Sequence, residues 1–196
     1  MGKASHTGSH KGHLFIISGP SGVGKSTVLS AILERNPHLR YSVSYTTRRP
    51  RGKEQDGVDY HFISEMAFRE KIAASELAEW AEVHGHLYGT SGRYIEKSLS
   101  QGLDVLLDID VEGAKILSSK YPAGFCVFIA PPSMEELERR MKRRDTDAPE
   151  VVGRRLKNAQ KEMAQAHLYD RVVVNDDVAK TVSELEEIID TIDSRN

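Results

Sequence analysis

One stretch near the amino terminus has the residue types needed to bind a phosphate chain. It reads Gly19-Pro20-Ser21-Gly22-Val23-Gly24-Lys25-Ser26 and follows the apolar run Leu14-Phe15-Ile16-Ile17. Glycines let the backbone turn its N–H groups toward an anion, and a helix that starts here adds its positive end. Lys25 can reach the terminal phosphates, and the Ser26 hydroxyl can bind Mg²⁺. A glycine-rich turn that merely ends a strand is the alternative, but the complete motif after a strand predicts a nucleoside triphosphate site.

Two carboxylates end a second apolar run. Asp108 and Asp110 follow Val105-Leu106-Leu107. A carboxylate at the end of a buried strand can hold Mg²⁺ directly or through water, opposite Ser26. The alternative is a pair of solvated loop aspartates, and we expect at least one of the two to be linked to the metal.

Three arginines within four positions, Arg48, Arg49 and Arg51, lie beside several hydroxyl side chains. Planar guanidinium groups suit phosphate oxygens. Such a cluster could instead be a solvated face or bind a nucleic-acid backbone, but a chain of net charge −2 lacks the broad basic excess of a nucleic-acid site. We therefore expect a second substrate that carries a phosphate.

A second basic cluster runs through residues 139–155. It comprises Arg139, Arg140, Lys142, Arg143, Arg144, Arg154 and Arg155, interrupted by Asp145-Thr146-Asp147-Ala148-Pro149. Arginines that close over a transferring phosphoryl group stabilise its negative charge, and the break is typical of a mobile segment. Several of these residues must be ordinary surface residues, and we expect two or three to be functional.

Strands that alternate with helices are expected to position these residues. Apolar runs predict buried strands over 14–17, 103–108, 125–130 and 171–174. Helical spacing predicts helices over 25–36, 92–101, 111–119, 149–167 and 178–192, and Ser133 opens a capping box for another. This order is typical of an α/β fold with a parallel sheet covered on both faces. Residues 41–92, with short β-prone pieces and a helix over 64–74, indicate an inserted, partly β lobe.

The composition fits one domain with an ordinary core, since 196 residues are 39% hydrophobic and 29% charged. A lone cysteine, Cys126, excludes a disulfide framework and favours a buried, inert thiol. Because no apolar run could cross a bilayer and no signal peptide is visible, we expect a cytoplasmic protein without membrane partners. Residues 1–12, native or an added leader, are expected to be a disordered tail.

Taken in order, the motifs of this chain resemble those of the guanylate kinase family. Besides the phosphate loop, they are Ser42–Arg51, Asp59-Tyr60-His61-Phe62, Glu79-Trp80-Ala81, Tyr88-Gly89, Leu107-Asp108-Ile109-Asp110, Ala130-Pro131-Pro132-Ser133 and Val174-Asn175-Asp176-Asp177. The resemblance runs from about residue 13 to the end. It implies a P-loop kinase core over 13–40, 93–138 and 154–196, a GMP-binding lobe over 41–92 and a lid over 139–153. It further implies Mg²⁺-dependent, reversible transfer of a phosphoryl group from ATP to GMP or dGMP in purine nucleotide metabolism.

The resemblance also implies residue roles. Catalytic residues would be Lys25, Arg48, Arg140, Arg144 and Arg155. ATP would be bound by Gly19, Pro20, Ser21, Gly22, Val23, Gly24, Lys25, Ser26, Thr27 and Asn175. GMP would be bound by Ser44, Arg48, Arg51, Tyr60, Glu79, Tyr88, Thr90 and Asp108, and the metal by Ser26 and, through water, Asp108. Thr90 stands where the family often has serine, and it keeps the hydroxyl.

Two rival functions fit the same fold class. A non-catalytic interaction module would keep the fold and bind proteins, but it typically has an eroded phosphate loop, whereas this one is complete. A kinase for AMP or UMP is the other rival. Glu79 favours guanine, because a carboxylate accepts from the adjacent N1–H and amino groups of guanine, while the unprotonated N1 of adenine would repel it. Oligomeric state is left open by the sequence.

Overall fold

The computed structural model describes residues 11–83, 85–143 and 149–194, and their elements alternate as the sequence predicts. The strands are β1 Leu14–Ser18, β2 Arg40–Tyr41, β3 Tyr45–Thr46, β4 His61–Phe62, β5 Leu77–Val83, β6 His86–Ser91, β7 Val105–Asp108, β8 Phe125–Ala130 and β9 Arg171–Val174. The helices are α1 Lys25–Arg35, α2 Glu65–Ala73, α3 Gly92–Ser100, α4 Val111–Lys120, α5 Met134–Arg143, α6 Pro149–Met163 and α7 Val178–Asp193, with a 3₁₀ turn at Ala166–Leu168.

The larger sheet has five strands in the order β2-β7-β1-β8-β9, and all of its pairs are parallel. Apolar clusters cover both faces: α1 and α7 pack on one, and α3 and α4 on the other. The predicted α/β fold with a covered parallel sheet is therefore confirmed. Since parallel strands present their carboxyl ends at one edge, the phosphate loop after β1 and Asp108 at the end of β7 meet there.

The smaller sheet, in the order β4-β3-β6-β5, lies within residues 45–91. Its longest pairing is the antiparallel hairpin of β5 and β6. Phe68 of α2, fully buried, packs on this hairpin with Leu77 and Leu87. This sheet falls inside the segment 41–92 expected to be an inserted lobe, although the exact division into core, lobe and lid stays a prediction.

Several predicted boundaries shift. The strand expected from Leu103 begins at Val105, and the carboxylate of Asp104, just before it, accepts the backbone N–H of His13 at 2.7 Å. The helix expected to reach residue 167 ends at Met163. Of the tail expected over residues 1–12, the first ten lie outside the described residues. Gly12 belongs to the fold, since it is buried and donates its N–H to the Leu99 carbonyl at 3.0 Å.

The single cysteine is buried in β8, as predicted. Its backbone N–H donates to the Asp170 carboxylate at 2.7 Å. Burial raises the pKa of the Cys126 thiol to about 11. The thiol is therefore protonated at neutral pH and packs as a small apolar group.

Replacing Phe68 by alanine should destabilise the chain, because the ring is fully buried in the smaller sheet's cluster. We expect a loss of about 3–5 kcal/mol in the free energy of unfolding, measured with urea. Met66→Ala on the same helix is the control, because Met66 is 72% exposed and should change stability by no more than about 0.5 kcal/mol. Equal losses in the two variants would contradict this packing.

Candidate active site

The phosphate loop takes its shape from three glycines with positive φ: Gly19 at 147°, Gly22 at 88° and Gly24 at 101°. At Gly19 the chain also passes so close to β8 that a Cβ atom would lie 2.2 Å from the Ile129 carbonyl oxygen. The Lys25 ammonium folds back over the loop and donates to the Gly19 carbonyl at 2.6 Å. The loop and the start of α1 thus form an anion site of the kind the sequence predicts.

The carbonyl of Val23, in the middle of this loop, is held from two sides. Asn175 donates to it from Nδ2 at 2.8 Å, and Arg140 donates from Nη1 at 3.1 Å. The Asn175 side chain is buried, and its oxygen accepts from the Thr181 hydroxyl at 3.2 Å. Both ends of this amide are therefore used in supporting the loop, and the expected contact of Asn175 with ATP stays a prediction.

A cavity of about 660 Å³ opens beside the loop, a volume suited to a nucleotide. Its lining includes Gly22, Val23, Gly24, Thr27, Pro132, Ser133, Glu136, Arg139, Arg140, Arg143 and Asn175. Glu136 binds Arg139 and Arg140 at 2.7–2.8 Å, and these bonds lower the pKa of Glu136 to about 2. Ser133 caps α5 by accepting the Glu136 N–H at 3.1 Å, one half of the predicted capping box.

The two aspartates after β7 have different roles. The Asp108 carboxylate lies 4.0 Å from the Lys25 ammonium, and burial raises its pKa while the lysine opposes the shift. Asp110 instead accepts the Gly113 N–H at 2.7 Å and caps α4. Only Asp108 is thus brought to the loop by a direct ionic contact.

Helix α6 reaches the loop at Ser21. Arg155 donates from Nη2 to the Ser21 hydroxyl at 2.6 Å, and the Glu162 carboxylate accepts from the Ser21 backbone. Burial raises the pKa of Glu162, and the Lys25 charge opposes this. Arg155 is among the residues expected at the site, whereas Glu162 is not, although the two are seven residues apart and share a helix face. Arg144, the remaining expected lid arginine, lies outside the described residues.

A second polar site is built on the smaller sheet around Arg48, which is only 6% exposed. Its Nε donates to the Tyr88 hydroxyl at 3.1 Å, and its guanidinium lies over the Tyr60 ring at 5.3 Å. These three residues of the expected GMP site are brought together. Arg51 is exposed in the following turn, and the Ser44 carbonyl accepts the His61 N–H at 2.8 Å.

Glu79 is a buried carboxylate in the same sheet. Its Oε1 accepts from the Thr90 hydroxyl across the hairpin at 2.6 Å. Burial raises the pKa of Glu79 to about 7, the Thr90 bond opposes the shift, and the Asp110 charge adds to it. A Cβ atom at Gly113 would lie 2.6 Å from Ile109 Cδ1 and 3.2 Å from Glu79 Oε2, so glycine there leaves room for both side chains. Glu79 and Thr90 therefore form a buried acceptor pair.

Comparison with known proteins gives the family. The guanylate kinase family model matches residues 11–192. The chain belongs to the guanylate kinase family. It is 48% identical to the guanylate kinase of Geobacter metallireducens over 91% of this chain and 88% of that protein, and 49% identical to that of Symbiobacterium thermophilum over 91% and 85%. A crystal structure of guanylate kinase from Anaplasma phagocytophilum matches with a TM-score of 0.77 and 34% identity, covering 92% of this chain and 86% of the other.

Membership in this family makes the chain an ATP:GMP phosphotransferase, which phosphorylates GMP to GDP at the expense of ATP. The kinase activity expected from the sequence is thereby confirmed. The alternative hypothesis, a non-catalytic interaction module, is not supported. In the part of the chain that the structure describes, no helix is long and apolar enough to cross a membrane.

Glu79→Gln should stabilise the guanylate kinase fold at alkaline pH. The pKa of Glu79 lies near 7 in the folded chain, against an ordinary value of 4.5. Between pH 4.5 and pH 7 the folded chain therefore binds more protons at this residue than the unfolded chain does. The free energy of unfolding therefore falls as the pH rises through that window. Glutamine does not ionise, so the variant does not lose stability in this way. We expect its free energy of unfolding to exceed that of the parent by up to about 3 kcal/mol at pH 8 and by little at pH 5.

Urea unfolding at the two pH values measures this difference. Glu82→Gln is the matched control, because Glu82 lies on the same strand and is exposed. It should leave the free energy of unfolding unchanged at both pH values. A gain from Glu79→Gln that is the same at both pH values would show that the effect does not come from ionisation.

Proposed function

We propose that the two polar sites are the two halves of the guanylate kinase reaction, with ATP at the phosphate loop and GMP on the smaller sheet. The observation that carries this assignment is the position of Asp108. Its carboxylate lies 4.0 Å from Lys25 of the loop, and its charge also raises the pKa of Tyr60 in the Arg48 site, where burial has the larger effect. The Asp108 carboxylate thus interacts with charged or polar groups of both sites, which supports placing the two nucleotides close enough for direct transfer.

Guanine would be recognised by the buried Glu79–Thr90 pair. An ionised Glu79 accepts from the neighbouring N1–H and amino groups of guanine, and the Thr90 hydroxyl supplies a further polar contact. Adenine would leave this buried carboxylate facing an unprotonated nitrogen, which is strongly unfavourable. The raised pKa of Glu79 means that the free protein is partly protonated near neutral pH and becomes fully competent for guanine above it.

The GMP phosphate would lie against Arg48, Tyr60 and Tyr88, with Arg51 at the open side and Ser44 at the edge. A phosphate monoester has a second pKa near 6, so it is largely a dianion at neutral pH. Attack by its oxygen on the γ-phosphorus of ATP therefore needs no general base. Alignment and charge stabilisation suffice.

On the donor side, the backbone N–H groups of Gly19 and of residues 21–27 would hold the ATP phosphates. Lys25 would stabilise the negative charge that develops on the transferring phosphoryl group. Arg140 and Arg155 already reach the loop, at Val23 and Ser21. Arg155 would turn from the Ser21 hydroxyl to the phosphoryl oxygens, and Arg144 is proposed to join it from the lid. These guanidinium groups stabilise the charge spread over the equatorial oxygens.

The residues at the loop fit Mg²⁺. The magnesium ion prefers oxygen ligands and uses few from the protein, keeping water and phosphate oxygens as the rest. Ser26 is exposed in the first turn of α1 and offers a hydroxyl, while Asp108 offers a carboxylate suited to a water-mediated contact. When bound, the ion would neutralise phosphate charge and orient the donor. Among the described residues, no group of three or more His, Cys, Asp or Glu side chains could replace this site.

We further propose that this enzyme works in the cytoplasm, on free nucleotides. Its single buried thiol suits a reducing compartment, and its net charge of −2 gives no drive toward nucleic acid or anionic membrane.

Lys25→Ala should lower kcat by at least about 100-fold, since it removes a positive charge from the transferring phosphoryl group. An assay that couples ADP formation to a dehydrogenase, with ATP, Mg²⁺ and GMP, measures the rate. Lys97→Ala, an exposed lysine of α3, should leave kcat unchanged. If Lys25→Ala kept more than a tenth of the parental turnover, the proposed role would be wrong.

Glu79→Gln should raise KM for GMP about 100-fold while KM for ATP changes less than about threefold, because the amide presents a donor where guanine needs an acceptor. Steady-state kinetics with each nucleotide varied in turn give both constants. The parental enzyme should turn over GMP far faster than AMP or UMP. Equal increases in the two KM values would assign Glu79 to the fold rather than to guanine.

A further inference from the structure

The side chain of Glu54, in the turn after Arg48, is bound to the arginine proposed to hold the GMP phosphate. Its Oε2 accepts from Arg48 Nη1 at 2.8 Å, and its Oε1 accepts from Arg48 Nη2 at 2.9 Å. The backbone N–H of Arg51 also donates to Oε2, at 2.7 Å. One carboxylate thus binds one guanidinium through two parallel bonds and the backbone of the next arginine through a third.

These bonds decide which edge of the Arg48 guanidinium is available. A guanidinium has five N–H groups in fixed directions. The edge formed by Nη1 and Nη2 is taken by Glu54, and the second N–H of Nη1 donates to the Arg49 carbonyl at 2.8 Å. What is left is the edge formed by Nε and Nη2, where Nε meets the Tyr88 hydroxyl and one N–H of Nη2 has no partner among the described contacts.

The remaining edge belongs to the proposed phosphate site. Tyr88, which meets Nε, has its ring 5.9 Å from that of Tyr60, and the guanidinium lies over the Tyr60 ring at 5.3 Å and the Phe62 ring at 5.8 Å. The rings and the carboxylate together leave the Arg48 plane little freedom to turn. Hydrogen bonding to Arg48 also holds the pKa of Glu54 below its usual range, so the carboxylate is ionised at neutral pH.

We propose that Glu54 is a positioning residue for GMP: its bidentate bond turns the Nε–Nη2 edge of Arg48, rather than the Nη1–Nη2 edge, toward the acceptor phosphate and fixes Arg51 beside it. This inference rests on the proposed function, in which Arg48 contacts that phosphate. Glu54 and the phosphate then bind different edges of one guanidinium and do not compete. A buried arginine with a fixed plane loses less freedom when its ligand binds, which favours affinity.

Two other roles of Glu54 predict different results. If the carboxylate occupies the phosphate position in the free protein, GMP must displace it, and removing Glu54 would strengthen GMP binding. If Glu54 only closes its own turn through the Arg51 N–H, its removal would act independently of Arg48.

The first experiment compares Glu54→Gln with the parent by steady-state kinetics and thermal unfolding. We expect KM for GMP to rise about tenfold, with KM for ATP and the unfolding midpoint close to those of the parent. Guanosine, which lacks the phosphate, should inhibit both proteins equally. A KM for GMP that is unchanged or lower would overturn the proposal, as would an equal loss of guanosine binding.

The matched control is Glu65→Gln. Glu65 also binds an arginine in the same lobe, Arg69, at 2.6 Å, but on the exposed face of α2. The Glu65→Gln variant should leave the KM for GMP and the KM for ATP unchanged. A tenfold rise from Glu65→Gln as well would mean that any charge lost from this lobe weakens GMP binding, which would overturn the proposal.

A double-mutant cycle separates this inference from the function on which it rests. Arg48→Ala alone should raise KM for GMP, and if it does not, the proposed phosphate site itself is wrong. If it does, adding Glu54→Ala to Arg48→Ala should raise KM no further, although Glu54→Ala alone raises it about tenfold. Additive effects of the two changes would show that Glu54 does not act through Arg48 and would overturn only the present inference.

Discussion

The donor site depends on how the Val23 carbonyl is held. A phosphate loop binds anions only when its carbonyls point outward and its N–H groups point inward. Here Asn175, which follows the last strand, and Arg140 of α5 both donate to that carbonyl. Asn175 is fixed in turn by Thr181 at the start of α7. The loop is thus supported by elements more than 110 residues away in the chain, and its geometry is a property of the whole five-stranded sheet.

Two carboxylates, that of the buried Glu79 and that of the partly exposed Asp108, set the electrostatics between the two sites. Burial raises the pKa of both Glu79 and Asp108, so each charge costs free energy in the unliganded protein. Glu79 accepts a hydrogen bond from the Thr90 hydroxyl, and Asp108 lies 4.0 Å from the Lys25 ammonium. Hydrogen-bond donors on a guanine base, or a cation at the phosphates, would offset these costs when the substrates bind. The same two charges therefore favour substrate binding and lower the stability of the unliganded fold.

Local signals in the sequence were sufficient to predict the phosphate loop and most of the helices and strands. The glycine spacing, the apolar runs and the capping serine act within a few residues of one another, and β8, β9 and α5 lie where they predict. Contacts between distant segments could not be derived this way. Nothing near Asn175 indicates that its amide supports Val23, and Glu54 lies in a turn-rich run whose composition does not reveal its bond to Arg48. Glu79 was found through family resemblance, but its bond to Thr90 required the hairpin register.

The buried thiol of Cys126 makes the chain well suited to site-specific labelling. It is the single cysteine of the sequence, and a thiol with a pKa of about 11 inside β8 reacts slowly with maleimides at neutral pH. Cysteines introduced at two exposed positions, Met66 on the smaller sheet's helix and Ile116 on α4, would therefore carry fluorophores without background. Energy transfer between such dyes would report the separation of the acceptor lobe from the nucleotide core at each stage of turnover.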